Sequence, residues 1–261
     1  MPEWRGFDRI GILDALNVRS YYQYAWGEPL AGKERIQMVA RSNIREEGLD
    51  AFISSHPGQY WQIGNEPNVP NQDNLTPQEY AQVYYSWSRR IKTIDQSAKI
   101  LNGGIVNYPD VVGYWGGALQ YLKDFREAYR GMYGEFPSID VWNLHAFPPF
   151  YYANGRMNTY CDTSFPKYFI VEVVQYLRSV GEQQPVWLTE FGMDWGDDSD
   201  PCMLTFMTDL VHWLEDTRLI DRWYWFSTNA ASRGNGGNLV DLSSNLTAPG
   251  TRYRDLASER R

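Results

Sequence analysis

The sequence predicts an α/β fold, and within that class a (β/α)8 barrel of the TIM type whose first strand is short, degenerate or missing. Short apolar runs with strand character alternate with amphipathic helical patterns, and no linker divides the 261 residues. This alternation favours a parallel sheet covered by helices. A (β/α)8 barrel commonly needs about 250 residues. We therefore expect a single domain over residues 1–261, with an open doubly wound sheet as the alternative.

The predicted strands are short, rich in aromatic and β-branched residues, and bounded by glycine, proline or asparagine, as is typical of strands. They are Asn17 to Tyr24, Arg35 to Arg41, Tyr60 to Asn65, Lys99 to Ile105, Ile139 to Ala146, Pro185 to Glu190 and Arg222 to Ser227.

Helical patterns fill most intervals between these strands. Thr76 is expected to cap one helix, because Pro77 follows at its first position and Glu79 can complete a capping box. Apolar residues then recur at helical spacing as far as Ile94. The other predicted helices are Gly6 to Leu16, Tyr114 to Tyr129, Tyr168 to Val180 and Met203 to Glu215.

Composition excludes several classes of function. The net charge is −8, from 24 basic and 32 acidic residues, which disfavours nucleic-acid binding because that binding depends on Lys and Arg. Aromatic residues make up 16% of the chain, which excludes a disordered protein. Apolar runs are too short to cross a membrane.

Two acidic residues end apolar strands. Glu66 follows Trp61-Gln62-Ile63-Gly64-Asn65, and Glu190 follows Val186-Trp187-Leu188-Thr189. A carboxylate among hydrophobic residues is costly unless it is paired or functional. A salt bridge or a helix cap would explain either residue alone. The pair, however, matches the two carboxyl groups that glycoside hydrolysis requires, and Asn65 could bind a sugar hydroxyl.

Three motifs in this order carry a family resemblance: Gly-Asn-Glu-Pro, Val-Trp-Leu-Thr-Glu-Phe-Gly and Trp-Tyr-Trp-Phe-Ser. Together they resemble clan A of the retaining glycoside hydrolases. The resemblance implies that Glu66 is the general acid/base after the fourth strand and Glu190 the nucleophile after the seventh. Retention then predicts carboxyl groups about 5 to 5.5 Å apart, against about 6.5 to 9.5 Å for inversion.

Within the clan the chain looks most similar to compact endo-β-1,3-glucanases. That family usually has Phe-Asn-Glu-Pro-Asp, whereas this chain has Gly64 before Asn65 and Asn68 after Pro67. Gly-Asn-Glu-Pro-Asn is commoner among xylosidase-like and cellulase-like relatives. A β-xylosidase, a cellulase-like enzyme and a noncatalytic carbohydrate-binding barrel therefore remain alternatives.

The resemblance also implies further substrate-binding residues. His145 corresponds to the histidine of strand six, shares strand parity with Asn143, and would point inward. Trp225 corresponds to the aromatic floor of a sugar subsite, and Arg19 to an arginine that keeps the nucleophile ionised. The alternatives are a satisfied core histidine, a core aromatic and a surface salt bridge.

Aromatic loop residues could line a glycan groove or simply anchor their loops. They are Trp26, Tyr151 and Trp195. The expected partner is thus an oligo- or polysaccharide bound by a monomer, with no nucleic acid or membrane involved.

The proposed chemistry needs no cofactor, and we predict no metal site. Asp194, Asp197, Asp198 and Asp200 crowd one loop, where a solvated acidic rim is favoured over calcium.

Cys161 and Cys202 follow adjacent predicted strands, so either a rim disulfide or two free thiols is expected. A disulfide would agree with a secreted or extracellular protein whose signal has been removed, with the cytoplasm as the alternative.

Placing Glu66 after the fourth strand leaves one strand unaccounted for. The helix Gly6 to Leu16 then resembles the first helix of the clan, so the first strand would have to come from Met1 to Arg5. We therefore expect the barrel to have a minimal or incomplete edge at its first strand.

Overall fold

The computed structural model of the chain describes residues 8–39, 45–107, 117–153, 156–193, 201–229 and 237–259. Its elements, in chain order, are α1 (Arg9–Ala15), β1 (Ser20–Tyr22), β2 (Glu34–Val39), α2 (Leu49–Ser55), β3 (Tyr60–Ile63), α3 (Pro77–Ile94), β4 (Lys99–Asn102), β5 (Ile105–Val106), α4 (Ala118–Tyr133), β6 (Trp142–Ala146), β7 (Phe150–Ala153), β8 (Arg156–Thr159), α5 (Ser164–Ser179), β9 (Val186–Phe191), α6 (Pro201–Thr217), β10 (Arg222–Trp225) and α7 (Ala248–Glu259).

The strands form an α/β fold with parallel pairing, as predicted. Within the described residues, one sheet has the order β1-β2-β3-β4 and another the order β10-β9-β6-β5, and every neighbouring pair in both is parallel. Each predicted strand has a counterpart, although the run from Lys99 to Ile105 is divided into β4 and β5 by Gly103 and Gly104. β7 and β8 form a separate antiparallel hairpin.

The two sheets meet along two edges. On one side a parallel bridge joins Leu101 of β4 to Val141, just before β6. On the other side the hydroxyls of Ser20 and Tyr224 lie 2.9 Å apart, and a salt bridge joins Arg222 to Glu34. Side chains therefore link β1 to β10 among the described residues. The predicted degenerate first strand, in residues 1–5, falls outside them.

Apolar side chains pack on both faces of the sheets. Ile36, Leu101, Val141 and Trp187, drawn from both sheets, form a buried cluster that we call the inter-sheet core. A larger core lies between the sheets and the helices, and it includes the fully buried Trp61 and Trp142 among many others. Burying a large apolar side chain stabilises the fold by roughly 1.5–3 kcal/mol. Strands covered on both faces explain the apolar runs seen in the sequence.

Helix α3 begins as predicted. The Thr76 side chain accepts a hydrogen bond from the Glu79 amide over 3.1 Å, and the Glu79 carboxylate accepts one from the Thr76 amide over 2.9 Å. Such a cap contributes about 1 kcal/mol. The capping box is therefore confirmed.

Three elements were not predicted: α2, α7 and the β7–β8 hairpin. Helix α2 spans only Leu49–Ser55, too short for a clear periodicity. Helix α7 is polar, and it is held against the rest of the fold by contacts such as that between the Tyr253 and Trp223 rings, 5.4 Å apart. Tertiary contacts, not local pattern, define these segments.

Cys161 and Cys202 form a disulfide with a Cα–Cα distance of 5.5 Å. The bond joins the segment after β8 to the start of α6 and rules out the free thiols considered above. The acidic cluster at 194–200 lies outside the described residues. Among the described helices, none has the length and apolar character that crossing a bilayer requires.

Candidate active site

The two predicted carboxylates come together with the predicted histidine. Glu66 follows β3, Glu190 lies near the end of β9, and His145 lies near the end of β6. Parallel strands present their carboxyl ends at one edge, so these residues converge there although the sequence separates them widely. All three are buried, with 6%, 4% and 0% of their surface exposed, respectively.

The imidazole of His145 lies between the two carboxylates. Its Nδ1 is 2.8 Å from Oε1 of Glu66 and 3.7 Å from Oε2 of Glu190. One oxygen from each carboxylate and one imidazole nitrogen all lie within 4.8 Å of one another. The site therefore brings two acids and one base close together, with His145 in hydrogen-bond contact with Glu66.

Local backbone geometry places Glu66. Its φ angle is +46°, and that of Gly64 is +85°, so the chain turns sharply where β3 ends. The Asn65 amide N–H donates to Oδ2 of Asp73 over 2.7 Å, which holds this turn against the loop that follows. A positive φ is costly for a residue other than glycine and is kept where surrounding contacts hold it.

Tyr22, the last residue of β1, and Tyr24, two positions later, complete the site. The Tyr24 hydroxyl donates to Oε1 of Glu190 over 2.6 Å, and the Tyr22 hydroxyl donates to Oδ1 of Asn65 over 3.0 Å. Burial, followed by the nearby Glu190 charge, raises the pKa of both phenols well above 10, so both remain protonated donors. Neither tyrosine was predicted as a site residue, and Tyr24 lies beside Glu190. Its two-residue spacing from Tyr22 is the signal that could have found it.

Burial governs the charge of the site. It raises the pKa of Glu190 to about 7, while His145 and the tyrosine hydroxyls act in the opposite direction and Glu66 adds to the rise. Burial also lowers the pKa of His145 below 6.5, despite the opposing charge of Glu190. The imidazole is therefore neutral around neutral pH. Perturbed groups of this kind concentrate at functional sites.

Gly104 makes room for the histidine. A Cβ atom at this position would lie 2.0 Å from Nε2 of His145. Only a glycine lets the backbone between β4 and β5 pass this close to the ring.

A polar cluster lies beneath the carboxylates. Thr189 Oγ1 is 3.0 Å from Nε2 of His145 and 2.8 Å from Oδ1 of Asn143. The prediction that Asn143 and His145 project to the same side is confirmed, because both contact Thr189. Gln62, also buried, lies 3.5 Å from the same hydroxyl. We did not single out Thr189 or Gln62 from the sequence, although polar residues within apolar strands are a recognisable signal.

Arg19 is not near Glu190. It is exposed and immediately precedes β1, at the opposite end of the strands from Glu190. The prediction for Arg19 is therefore wrong. Tyr24 occupies the position beside Glu190 instead and stabilises its charge through a hydrogen bond.

Trp225 is also misplaced in the prediction. Its ring packs on Phe191 and on Phe206 of helix α6, with centroid distances of 5.2 and 6.4 Å, and its Nε1 donates to the Gly237 carbonyl. In the described part of the chain the ring therefore packs in the core between sheet and helices. The next residue, Phe226, is partly buried and packs against the Phe147, Val69 and Val106 cluster.

The remaining predicted residues have mixed outcomes. Asn65 adjoins Glu66, and its amide is engaged by Tyr22 and Gln72, so its contact with sugar stays a prediction. Trp26 anchors its loop, since its ring packs on Phe52 of α2 and its Nε1 donates to a backbone carbonyl. The side chain of Tyr151 and all of Trp195 lie outside the described part of the chain.

The Glu66, His145 and Glu190 atoms could also ligate a metal ion, because they form a compact set of two carboxylates and an imidazole. The same atoms can perform acid–base chemistry without one. In the described structure, each of these donors is already engaged by another side chain of the site.

Comparison with known proteins identifies relatives at two levels. The model of the family described as glycosyl hydrolase catalytic core matches residues 12–253. No curated protein matches the chain significantly.

Among solved structures, a GH128 (subgroup II) endo-β-1,3-glucanase from Pseudomonas viridiflava is 22% identical, with a TM-score of 0.70 over 95% of this chain and 94% of that one. A GH128 (subgroup III) curdlan-specific exo-β-1,3-glucanase from Blastomyces gilchristii, in complex with glucose, is 20% identical, with a TM-score of 0.68 over 95% of both chains. A GH128 (subgroup I) endo-β-1,3-glucanase from Amycolatopsis mediterranei, in complex with laminaritriose, is 16% identical, with a TM-score of 0.62 over 96% of both chains. At these identities the likeness shows a shared fold.

Proposed function

Because the chain belongs to the glycosyl hydrolase catalytic core family, and is therefore a glycoside hydrolase, we propose that it cleaves a β-1,3-linked glucan with retention of configuration. Glu66 is the general acid/base and Glu190 the nucleophile. Both assignments follow the motif resemblance, and the geometry of the site supports them.

The observation that carries the proposal is the closeness of the two carboxylates. An oxygen of Glu66 lies within 4.8 Å of an oxygen of Glu190. Retaining glycosidases place their carboxyl groups about 5 to 5.5 Å apart, whereas inverting enzymes leave about 6.5 to 9.5 Å for a water molecule. An oxygen pair this close is compatible with the retaining spacing and supports direct attack by one carboxylate.

Hydrogen bonding supports the assignment of the two roles. Glu190 accepts from the Tyr24 hydroxyl, and a short bond from a neutral phenol favours the carboxylate anion that a nucleophile needs. Glu66 faces His145, a partner with which it can share a proton. An acid and an ionised carboxylate side by side are what double displacement requires.

The reaction runs in two balanced steps. An oxygen of Glu190 bonds to the anomeric carbon as the bond from that carbon to the leaving oxygen breaks, and a proton passes from Glu66 to the leaving oxygen. Water then attacks the glycosyl ester, Glu66 takes a proton from that water, and Glu190 departs as a carboxylate. The product keeps the β configuration.

The substrate class rests on the relatives. All three solved relatives described above are named as β-1,3-glucanases, two of them endo-acting and one exo-acting. We favour internal cleavage, with exo action as the alternative outcome. The chain has Asn68 after Pro67, a feature commoner among xylosidase-like and cellulase-like relatives. The same substrate screen therefore includes their substrates.

Substrate screening tests the linkage. We expect reducing ends to be released from laminarin and curdlan, and little release from cellulose, xylan or mannan. Product sizes distinguish the modes, since endo action yields a ladder of laminari-oligosaccharides and exo action a single small product. Binding to a glucan without any release would overturn the proposal in favour of a carbohydrate-binding protein.

Azide rescue tests the roles. With an activated aryl β-glycoside, Glu66→Ala should form a β-glycosyl azide, because azide replaces the water that Glu66 activates. Glu190→Ala should form the α-glycosyl azide, because azide then replaces the nucleophile. Glu47→Gln, at an exposed position in the turn before α2, is the control and should behave as wild type. Exchanged products would reverse the two assignments.

We also propose that the two sheets form one (β/α)8-type barrel. The Leu101–Val141 bridge and the side-chain contacts of β1 with β10 support closure along both edges. The disulfide between Cys161 and Cys202 supports an extracellular location, because disulfides persist in oxidising compartments.

A further inference from the structure

Apart from His145, the polar cluster beneath the carboxylates is not used by the mechanism above. It consists of Gln62, Asn143, Thr189 and His145, each with no more than 1% of its surface exposed. Buried polar groups require hydrogen-bond partners, so the position of each hydrogen atom in the cluster is constrained.

The two amides have defined orientations. The Asn143 Nδ2 donates to the backbone carbonyl of Asn102 over 3.3 Å, and the Gln62 Nε2 donates to the backbone carbonyl of Gly64 over 3.1 Å. Carbonyl oxygens only accept, so flipping either amide would bring two acceptors together. Both amide oxygens therefore face Thr189.

Thr189 has one hydroxyl hydrogen, and its direction follows. The nearest acceptor is Oδ1 of Asn143, 2.8 Å away, with Oε1 of Gln62 at 3.5 Å. With its hydrogen given to an amide oxygen, the hydroxyl presents lone pairs to Nε2 of His145, 3.0 Å away. Nε2 must therefore carry a hydrogen.

A neutral imidazole with a hydrogen on Nε2 has a lone pair on Nδ1. That lone pair points at Oε1 of Glu66 across 2.8 Å. Two lone pairs at this distance would repel, so a hydrogen lies between the atoms, and Glu66 supplies it. Burial, which lowers the pKa of His145, favours this neutral arrangement over an imidazolium beside a carboxylate.

We propose that Thr189, oriented by Asn143, holds His145 in the Nε2–H tautomer, and that this tautomer keeps a proton on Glu66 in the free enzyme. Thr189 and His145 act through Glu66 and are positioning residues. The catalytic consequence rests on the proposed function, whereas the tautomer does not.

This arrangement suits both steps of double displacement. Before the first step, the proton shared with Nδ1 is available to the leaving oxygen. After Glu66 has given up this proton, its carboxylate oxygen faces the Nδ1 lone pair. Their repulsion favours reprotonation of Glu66, and so makes Glu66 a stronger base for removing a proton from water. The titratable groups facing the ring are Glu66, Glu190 and, edge-on with a centroid distance of 6.5 Å, Tyr22.

Nitrogen NMR of the imidazole tests the tautomer without any substrate. The chain has three histidines, so a His56→Gln and His212→Gln background leaves His145 as the only signal. We expect long-range proton–nitrogen correlations near neutral pH to show a protonated Nε2 and an unprotonated, hydrogen-bonded Nδ1. A protonated Nδ1, either as the other tautomer or as imidazolium, would overturn the proposal.

Substitution at Thr189 tests its role. Thr189→Val has nearly the same shape but offers no acceptor, so the ring should change to the Nδ1–H tautomer, whereas Thr189→Ser should keep Nε2–H. An unchanged tautomer in the folded Thr189→Val protein would refute the role of Thr189. If that variant does not fold, the wild-type spectrum still decides the tautomer.

Kinetics connect the tautomer to catalysis. General acid catalysis contributes about 10²- to 10⁴-fold, so Thr189→Val should lose at least tenfold in kcat/KM on laminari-oligosaccharides, and Thr189→Ser should lose little. The loss should nearly disappear on a 2,4-dinitrophenyl glycoside, whose leaving group departs without a proton. An equal loss on both substrates would overturn the link to Glu66. A wild type inactive on every glucan would instead overturn the proposed function and leave the NMR result standing.

Discussion

The Tyr24 hydroxyl donates a hydrogen bond to Oε1 of Glu190 across 2.6 Å, joining the segment after β1 to the end of β9. The two residues are 166 positions apart in the chain. The bond stabilises the ionised form of a carboxylate that burial disfavours. It thus maintains the charge that the proposed nucleophile needs.

Removing this bond should slow the reaction. A hydrogen bond to a charged group contributes about 1.5–3 kcal/mol, so Tyr24→Phe should lose about tenfold to hundredfold in kcat/KM. The acid limb of its pH profile should also move upward, because the bond lowers the pKa of Glu190. Tyr168→Phe is the control, since Tyr168 is exposed and bonds only Glu172 in the described structure. An unchanged profile in Tyr24→Phe would remove Tyr24 from the site chemistry.

The pH dependence of activity should reflect the buried nucleophile. Burial raises the pKa of Glu190 to about 7, and the proposed attack requires the ionised form. Therefore kcat/KM should fall about tenfold for each pH unit below about 7. Initial rates on laminari-oligosaccharides from pH 4 to 9 measure this limb. If the midpoint of this acid limb instead lies near the ordinary pKa of glutamate, the prediction that burial raises the pKa of Glu190 is wrong.

The same shift predicts a conflict between stability and function. The folded pKa of Glu190 is raised from 4.5 to about 7, so its stabilising contribution is complete below pH 4.5 and is lost as pH rises through about 7. The loss corresponds to about 3 kcal/mol. Glu190→Gln cannot ionise, so its free energy of unfolding relative to wild type should increase between pH 4 and pH 8. Urea denaturation at the two pH values measures the difference, and Glu47→Gln should show none.

Gly104 should not tolerate a side chain. A Cβ there would lie 2.0 Å from the His145 ring, and overpacking of this kind costs about 1–3 kcal/mol. Gly104→Ala should therefore lower the midpoint of thermal unfolding and reduce activity by displacing the ring. Gly131→Ala, in helix α4 with open space around its Cβ, should instead be neutral or stabilise by up to about 1 kcal/mol. Similar behaviour of the two variants would contradict the contact.

Strand and helix alternation, the capping box at Thr76, and the two glutamates were recognisable because each depends on neighbouring residues. Glu66 and Glu190 end apolar strands, and that local contrast with their surroundings was enough to predict both. The face of the strand on which His145 projects could also be predicted, because the alternation of side chains along a strand is a local property.

The positions of Trp225, Arg19 and Tyr24 depended on long-range packing. In Trp-Tyr-Trp-Phe-Ser nearly every position is aromatic, so only the contact with Phe206 of α6 shows that Trp225 faces the helices. Arg19 and Tyr24 lie close together in the sequence, yet only the pairing of β1 with β2 shows which of them reaches the end of the strands where Glu190 lies.

The charge of the site was likewise settled by folding. The chain supplies Glu66, His145, Thr189 and Glu190 from strands that are distant in sequence, and their identities specify the available chemistry. Their ionisation depends on burial and on which atom faces which, and both arise only when the strands pair. The residue types therefore supply the two carboxylates of the proposed glycoside hydrolase site, while packing and hydrogen bonding determine where its protons reside.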